Sequence, residues 1–280
     1  MKTDYSGPIR SVPVKTRAVR TLAAFALTAV CAASSWALPV FTFNPAGAST
    51  PLAGSSLTAD NIIVSNFSHV SVNGGTGAFT DTGFLSVQSF QLLGAVSPSV
   101  GLNSTYGLYI SFSATGMQTT GNLLTDFTHG SFETLNFTLW GFNGAPASFG
   151  FDGANNPTTS AVGAIALAHG GLLQGSVSTS PASGPSGPSF VPSANASTTF
   201  TPEAGQEGFF SDPVSFYNLA FAAFTNTVSQ VEVISGTEFR IRQGGGAFNF
   251  GVTPVPEPET YALMLAGLGA ITFVARRRRA

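Results

Sequence analysis

Between residues 38 and 253 apolar and polar positions alternate again and again. Leu108, Ile110 and Phe112 alternate with Tyr109, Ser111 and Ser113; Leu135, Phe137 and Leu139 alternate with Asn136, Thr138 and Trp140. Phe239 and Ile241 alternate with Glu238, Arg240 and Arg242. Successive side chains of a strand point to opposite faces, so a period of two predicts half-buried strands. Three more segments read as strands: NIIVSNFSHVSV (61–72), with its phase broken by a bulge, FLSVQSFQLL (84–93) and SQVEVIS (229–235). Clusters of Gly, Asn, Pro and Ser separate them, as in GTGAFTDTG and GFNGAPASFG. VSFYNLAFAAF (214–224) fits a helix face as well as a strand, and its β-prone residues around Phe221 favour the strand.

Many short strands punctuated by glycine, without long helices between them, predict an all-β ectodomain: an antiparallel β-sandwich or a jelly-roll-like barrel. From Thr179 to Asp212 the composition turns to Pro, Ser and Gly, as in PASGPSGPSF. Repeated proline opposes strand pairing, so 179–212 is expected to be a long loop. The few strands after it need a partner sheet to bury an apolar face, which favours one domain over 38–253.

Charge adds contrast between the ends and the middle. Charged residues are 9% of the 280-residue chain, against roughly 25% in an average soluble domain. Hydroxyls, amides and backbone must therefore supply most of the surface polarity. Of the eleven lysines and arginines, five precede residue 21 and four are Arg276, Arg277, Arg278 and Arg279. Only Arg240 and Arg242 lie between, among ten carboxylates, so nothing there forms a basic footprint for nucleic acid.

The run TLAAFALTAVCAASSWALP (21–39) follows a basic leader and is too short to span a bilayer. Ser35 and Ala37 fit a small-residue cleavage site, so residues 1–37 are expected to be a secretory signal peptide cut between Ala37 and Leu38. Val30 opposes the alternative of a lipoprotein acceptor at Cys31. A leader beginning at Val14 would have more ordinary proportions, which points to a translation start there. Cleavage after Ala37 removes the single cysteine, leaving no disulfide, thiolate metal site or cysteine nucleophile.

Candidate chemistry in the body is sparse. His69, His129 and His169 are widely spaced and lack a zinc-binding pattern. No nucleophile elbow, Walker loop or complete dinucleotide fingerprint occurs. No catalytic residue, metal or cofactor is therefore expected. Asp152-Gly-Ala-Asn-Asn156 has the oxygen ligands of a calcium loop, although Asx-rich turns are usually only turns. Arg240 and Arg242 share a strand face and suit an acidic sugar; Trp140 suits stacking on a glycan; an ordinary solvated face is the plainer alternative. Asn66, Asn103, Asn136 and Asn195 head N-x-S/T triplets, frequent by chance in so Ser/Thr-rich a chain.

The tail PVPEPETYALMLAGLGAITFVARRRRA is the most informative stretch. Tyr261 to Ala275, as a helix, is roughly 22 Å long at 1.5 Å per residue, short of a hydrocarbon core of about 30 Å. Its best apolar residues each contribute roughly −0.3 to −0.6 kcal/mol to insertion, which makes a marginal anchor. Carrying one arginine across the membrane centre costs about 2.5 to 3.5 kcal/mol, so the four hold the tip inside. Pro254, Pro256 and Pro258 stop the helix outward and leave an extended strip that a membrane-embedded protease can reach.

Pro256-Glu257-Pro258, an apolar helix with Gly267 and Gly269, and Arg276 to Arg279 together resemble a PEP-CTERM sorting domain. The resemblance implies recognition by exosortase, a transient hold on the inner membrane through the helix, and release or transfer at the surface of a Gram-negative bacterium that makes exopolysaccharide. TADNIIVS (58–65), GLNSTYGLY (101–109), FYNLAFAAFTNT (216–227) and FRIRQGGGAFNF (239–250) are similar to flocculation-associated PEP-CTERM proteins. That likeness implies a secreted matrix protein that promotes cell aggregation with exopolysaccharide or a cell-surface glycan. Two other readings stay open: a carbohydrate-binding module with exposed aromatics near Trp140, and a glycan-degrading enzyme. The enzyme needs two carboxylates about 5 to 10 Å apart in a cleft, drawn from Asp60, Asp81, Asp126, Glu133 and Asp152.

Overall fold

A computed structural model describes residues 38–144, 146–184, 187–252 and Leu268. The expected signal peptide, the sorting motif, the membrane helix and the terminal arginines lie outside the described residues. The chain divides between Ala37 and Leu38, and the account below concerns the second unit.

Eight long strands build it: β1 (Asn61–Val72), β2 (Ala78–Leu92), β3 (Tyr106–Gln118), β4 (Thr128–Asn143), β5 (Ile165–Gly184), β6 (Gly187–Thr199), β7 (Leu219–Thr225) and β8 (Glu238–Gly251). Each pairs antiparallel with its neighbour in sequence, and β8 returns to pair with β1 from Glu238↔Ser71 to Phe248↔Ile62. The result is a closed up-and-down barrel. An even strand number lets every neighbour run antiparallel, and closure removes the sheet edges. The all-β, antiparallel expectation holds, but the described strands form a barrel instead of two stacked sheets. Alternation predicts a buried and an open face for each strand; it does not say whether the last strand meets the first.

The proline-rich segment also differs from expectation. Residues 165–184 and 187–199 are strands, paired from Leu172↔Thr198 to Gly184↔Gly187. The ladder to β4 ends at Thr179↔Thr128, and the ladder to β7 begins at Ser193↔Thr225. The hairpin tip therefore projects past the wall, and each strand there has one ladder partner. Pro181 and Pro188 lie in this edge region, where a missing N–H is tolerated. Among the described residues, 200–212 remains of the expected loop, and it carries the short strands Thr201–Pro202 and Phe210–Asp212.

Smaller adjustments follow from bulges. Strand β1 alternates without a break, and the extra residue lies opposite, at Gln88 of β2, where Ile63↔Ser89 gives way to Val64↔Val87. Glu133 is extra in β4, which reverses the phase, so that Phe132 and Leu135 both line the interior. Segment 229–235 contributes only the short strand Val231–Val233, paired to β8. Segment 214–224 becomes strand from Leu219.

The interior has two packed ends. At one, a small sheet of Phe41–Phe43, Leu57–Ala59 and Phe210–Asp212 closes the barrel. Its rings meet those of the strand ends: Phe43 lies 5.9 Å from Phe90, Phe41 lies 4.9 Å from Phe250, and Phe200 lies 5.5 Å from Phe210. At the other end Val70, Val72, Phe79, Leu123, Phe190, Phe239 and Ile241 form a second cluster. Outward positions carry hydroxyls and amides that bond across strands, as in Thr115–Thr134, Ser178–Ser193 and Asn195–Ser176. Apolar inside and polar outside is the reverse of a transmembrane barrel's pattern. Among the described residues no helix is long and apolar enough to cross a membrane.

Candidate functional site

Between the two packed ends the barrel holds a partly open cavity of about 110 Å³. Even-numbered residues of β1 face inward, which brings Asn66 and Ser68 into line with Ile62, Val64 and Val70. On β2 the inward set includes Phe79, Asp81 and Leu85, with Asp81 opposite Val70. Asn226 follows β7 and reaches over Gly244, the register partner of Asn66; any Cβ at Gly244 would collide with Asn226 Oδ1. The remaining wall is mainly apolar, with Phe112, Phe132, Leu135, Val177 and Phe248 among its residues.

The polar groups on this wall are short of partners. Asn66 Oδ1, Ser68 Oγ, Asp81 Oδ1 and Asn226 Oδ1 are buried and make no hydrogen bond among the described residues. Asn226 Nδ2 donates to the Pro192 carbonyl at 2.9 Å, which fixes the amide orientation and aims Oδ1 away from that carbonyl. Burial pushes the Asp81 carboxyl up to about 7, held back in part by the neighbouring Ser68 hydroxyl, which has no well-formed hydrogen bond. Part of the surface of Asp81 faces the cavity, so the residue retains accessible area although protein surrounds its carboxyl. The arrangement can accept hydrogen bonds and, once the carboxyl ionises, attract a cation.

The expected glycan contacts lie on the outside. Arg240 and Arg242 share a face, as their spacing predicts, but both pair with Glu232. Their guanidinium carbons stand 5.1 and 5.4 Å from the centre of the Phe151 ring. Burial alone would raise the Glu232 carboxyl; hydrogen bonds and charge from the two arginines outweigh it and hold the group below its usual range. Trp140 stacks with Tyr109 at 6.2 Å and 15°, and its Nε1 donates to Ser111 Oγ. A hairpin of Phe149–Phe151 and Pro157–Thr159 lies across this face, Phe149 meeting Phe67, Phe84 and Tyr109. It thus joins Trp140 and the two arginines along one aromatic strip, in which Arg242 stays half exposed.

Asp152 belongs to that hairpin's turn. Its Oδ1 accepts from the Ala154 and Asn156 amides at 2.8 Å, and its Oδ2 accepts from Asn156 Nδ2 at 3.0 Å. Bonds from the Asn156 side chain and backbone hold its carboxyl below the usual range. Among the described residues no group of three His, Cys, Asp or Glu side chains is placed to hold a metal. His169 Nδ1 lies 2.7 Å from Glu203 Oε1, and His129 stacks on Phe127. Asn66 is buried inside the barrel, which removes it as a glycan acceptor; Asn103, Asn136 and Asn195 are not buried. The five candidate carboxylates serve separate places. Asp60 accepts from the Leu93 amide, Asp126 from the Asn122 amide, Glu133 occupies a bulge, Asp152 holds its turn, and Asp81 is, among the described residues, the one carboxylate lining the cavity.

As cavity groups Asp81, Asn66 and Asn226 escaped the sequence reading, which named Asp81 only as a candidate glycosidase carboxylate and Asn66 only at the head of an N-x-S/T triplet. The signal for two of them was present: Asn66 keeps step with Ile62, Val64 and Val70, and Asp81 keeps step with Phe79 and Leu85. A polar residue in phase with an apolar face is a buried polar residue. Asn226 follows its strand and gave no such signal.

Residues 254–279 match the PEP-CTERM protein-sorting motif. The PEP-CTERM tail implies an exported protein processed by exosortase and sorted to the cell surface. The match covers Pro256, Glu257, Pro258 and Arg276 to Arg279 and leaves the barrel aside. No curated protein and no solved structure matches the chain.

Proposed function

We propose that this chain is a non-enzymatic surface or matrix protein of a Gram-negative bacterium, released through its PEP-CTERM tail, that promotes cell aggregation and floc formation with exopolysaccharide. The tail carries the reading. The outer wall supports it: rows of Ser, Thr and Asn present donors and acceptors to a glycan with little charge. The marginal helix and its arginines serve as a temporary inner-membrane tether, and Ala37–Leu38 is the signal cleavage point.

The test is a strain lacking the gene, complemented with the intact chain or with Pro256-Glu257-Pro258 replaced by alanines. Settling of cells and mass spectrometry of the extracellular protein are read together. Restored flocs and a clipped protein are expected from the intact chain only. Aggregation unchanged by deletion removes the aggregation role; a secreted protein that keeps its final alanine removes the processing role. A carbohydrate-binding module is the second reading and has less support, since Tyr109, stacked on Trp140, is 7% exposed beneath Phe149. A glycan-active enzyme also has less support, since among the described residues Asp81 is the single carboxylate on the cavity wall.

A further inference from the structure

The cavity is too well provided with unpaired oxygen to be mere packing error. Asn66 and Asn226 are 5% and 3% exposed, each has an unpartnered Oδ1, and both line the same cavity as Asp81. Buried polar atoms are nearly always paired, so a cluster of them in one cavity marks a place where something else supplies the partner. All three atoms are acceptors, so the missing partner is a donor. No Lys, Arg or His lines the cavity among the described residues, which leaves the Asp81 carboxylate without a counter-charge. The rest of the wall is mostly aromatic and aliphatic, and such walls hold an apolar body better than they hold water. Eight strands enclose an interior just large enough for side chains or one small ligand. An apolar cavity of roughly 150 Å³ accepts benzene, so about 110 Å³ admits a body of only a few carbons.

We propose that the barrel cavity binds a compact amine with an apolar body, its ammonium group at Asp81 and its body extending toward Asn66 and Asn226, whose oxygens take any further donor it carries. The register supports that division. Asp81 is opposite Val70 and beside Ser68, whereas Asn66 and Asn226 meet at Gly244. Two inward positions of β1, Asn66 and Ser68, are about 7 Å apart at the rise of a strand. A small molecule spans that gap. The site is independent of the tail and of the outer wall, and it holds whether or not the protein joins cells.

The test uses the purified full chain and three probes of one shape: isobutylamine, isobutanol and isopentane. Side-chain amide signals of the asparagines are followed by NMR during each titration. Saturable binding of isobutylamine is expected, with shifts at Asn66 and Asn226, and affinity higher than for isobutanol by about tenfold or more, the size of one charge-assisted hydrogen bond. Asp81→Asn keeps the shape and is expected to abolish that preference. Ala194→Leu fills the cavity from the opposite wall, leaves Asp81 in place, and is expected to abolish binding of all three; thermal melting shows that each variant folds. Water alone as the partner predicts no saturable shift with any probe. That result, or equal affinity for amine and alcohol, overturns the proposal.

Discussion

The plugged end of the barrel and its middle share one wall yet solve opposite problems. At the plugged end Phe41, Phe43, Phe90, Phe209 and Phe250 are each at most 1% exposed, and ring meets ring at 4.8 to 6.1 Å around Phe43. In the middle, Asn66, Asp81 and Asn226 replace apolar side chains, and space is left over. Closure of the sheet makes the contrast affordable to the fold. Hydrogen bonds around the ring hold the wall, packing at the ends supplies apolar burial, and the middle is free to depart from close packing.

Truncation at the plug should break the comparison most strongly. Phe43→Ala removes a ring at the centre of the aromatic cluster, and a loss of about 3 to 5 kcal/mol is expected in urea unfolding. The middle should respond with the opposite sign. Asp81 ionises near 3.8 when unfolded and near 7 when folded. A folded value above the unfolded one means that its contribution to stability is full below about pH 3.8, declines as pH rises, and is lost above about pH 7. Asp81→Asn is therefore expected to stabilise the protein at pH 8 by an amount on the order of a few kcal/mol. It should also flatten the stability profile between pH 4 and 7. Unfolding curves of both proteins across that range check it, and equal slopes would place the carboxyl in water. The smallest effect belongs outside the barrel. Glu232 is 44% exposed, so Glu232→Gln should change stability by less than about 1 kcal/mol. Arg240 and Arg242 keep their place over Phe151, and a melting curve within a few degrees of the wild type is expected.

Much of this was legible beforehand, for reasons visible in particular residues. Alternation in 106–118 and 128–143 announced β3 and β4, because one face of each strand is buried and the other meets solvent. The same rule failed at Pro181 and Pro188, where proline normally argues against a strand. Their tolerance depends on the hairpin tip having no further ladder partner, a relation between strands far apart in sequence. Arg240 and Arg242 were correctly placed on one face, but their pairing with Glu232 and Phe151 came from two other segments.

Local chemistry alone determined the strand texture, the low charge and the PEP-CTERM tail, since period, composition and a contiguous motif are properties of neighbours along the chain. Tertiary structure decided that the sheet closes on itself, that phenylalanines gather at one end, and that Asn66, Asp81 and Asn226 share a cavity. Those outcomes depend on which inward faces meet across the barrel, and such meetings are set by register and closure over more than a hundred residues.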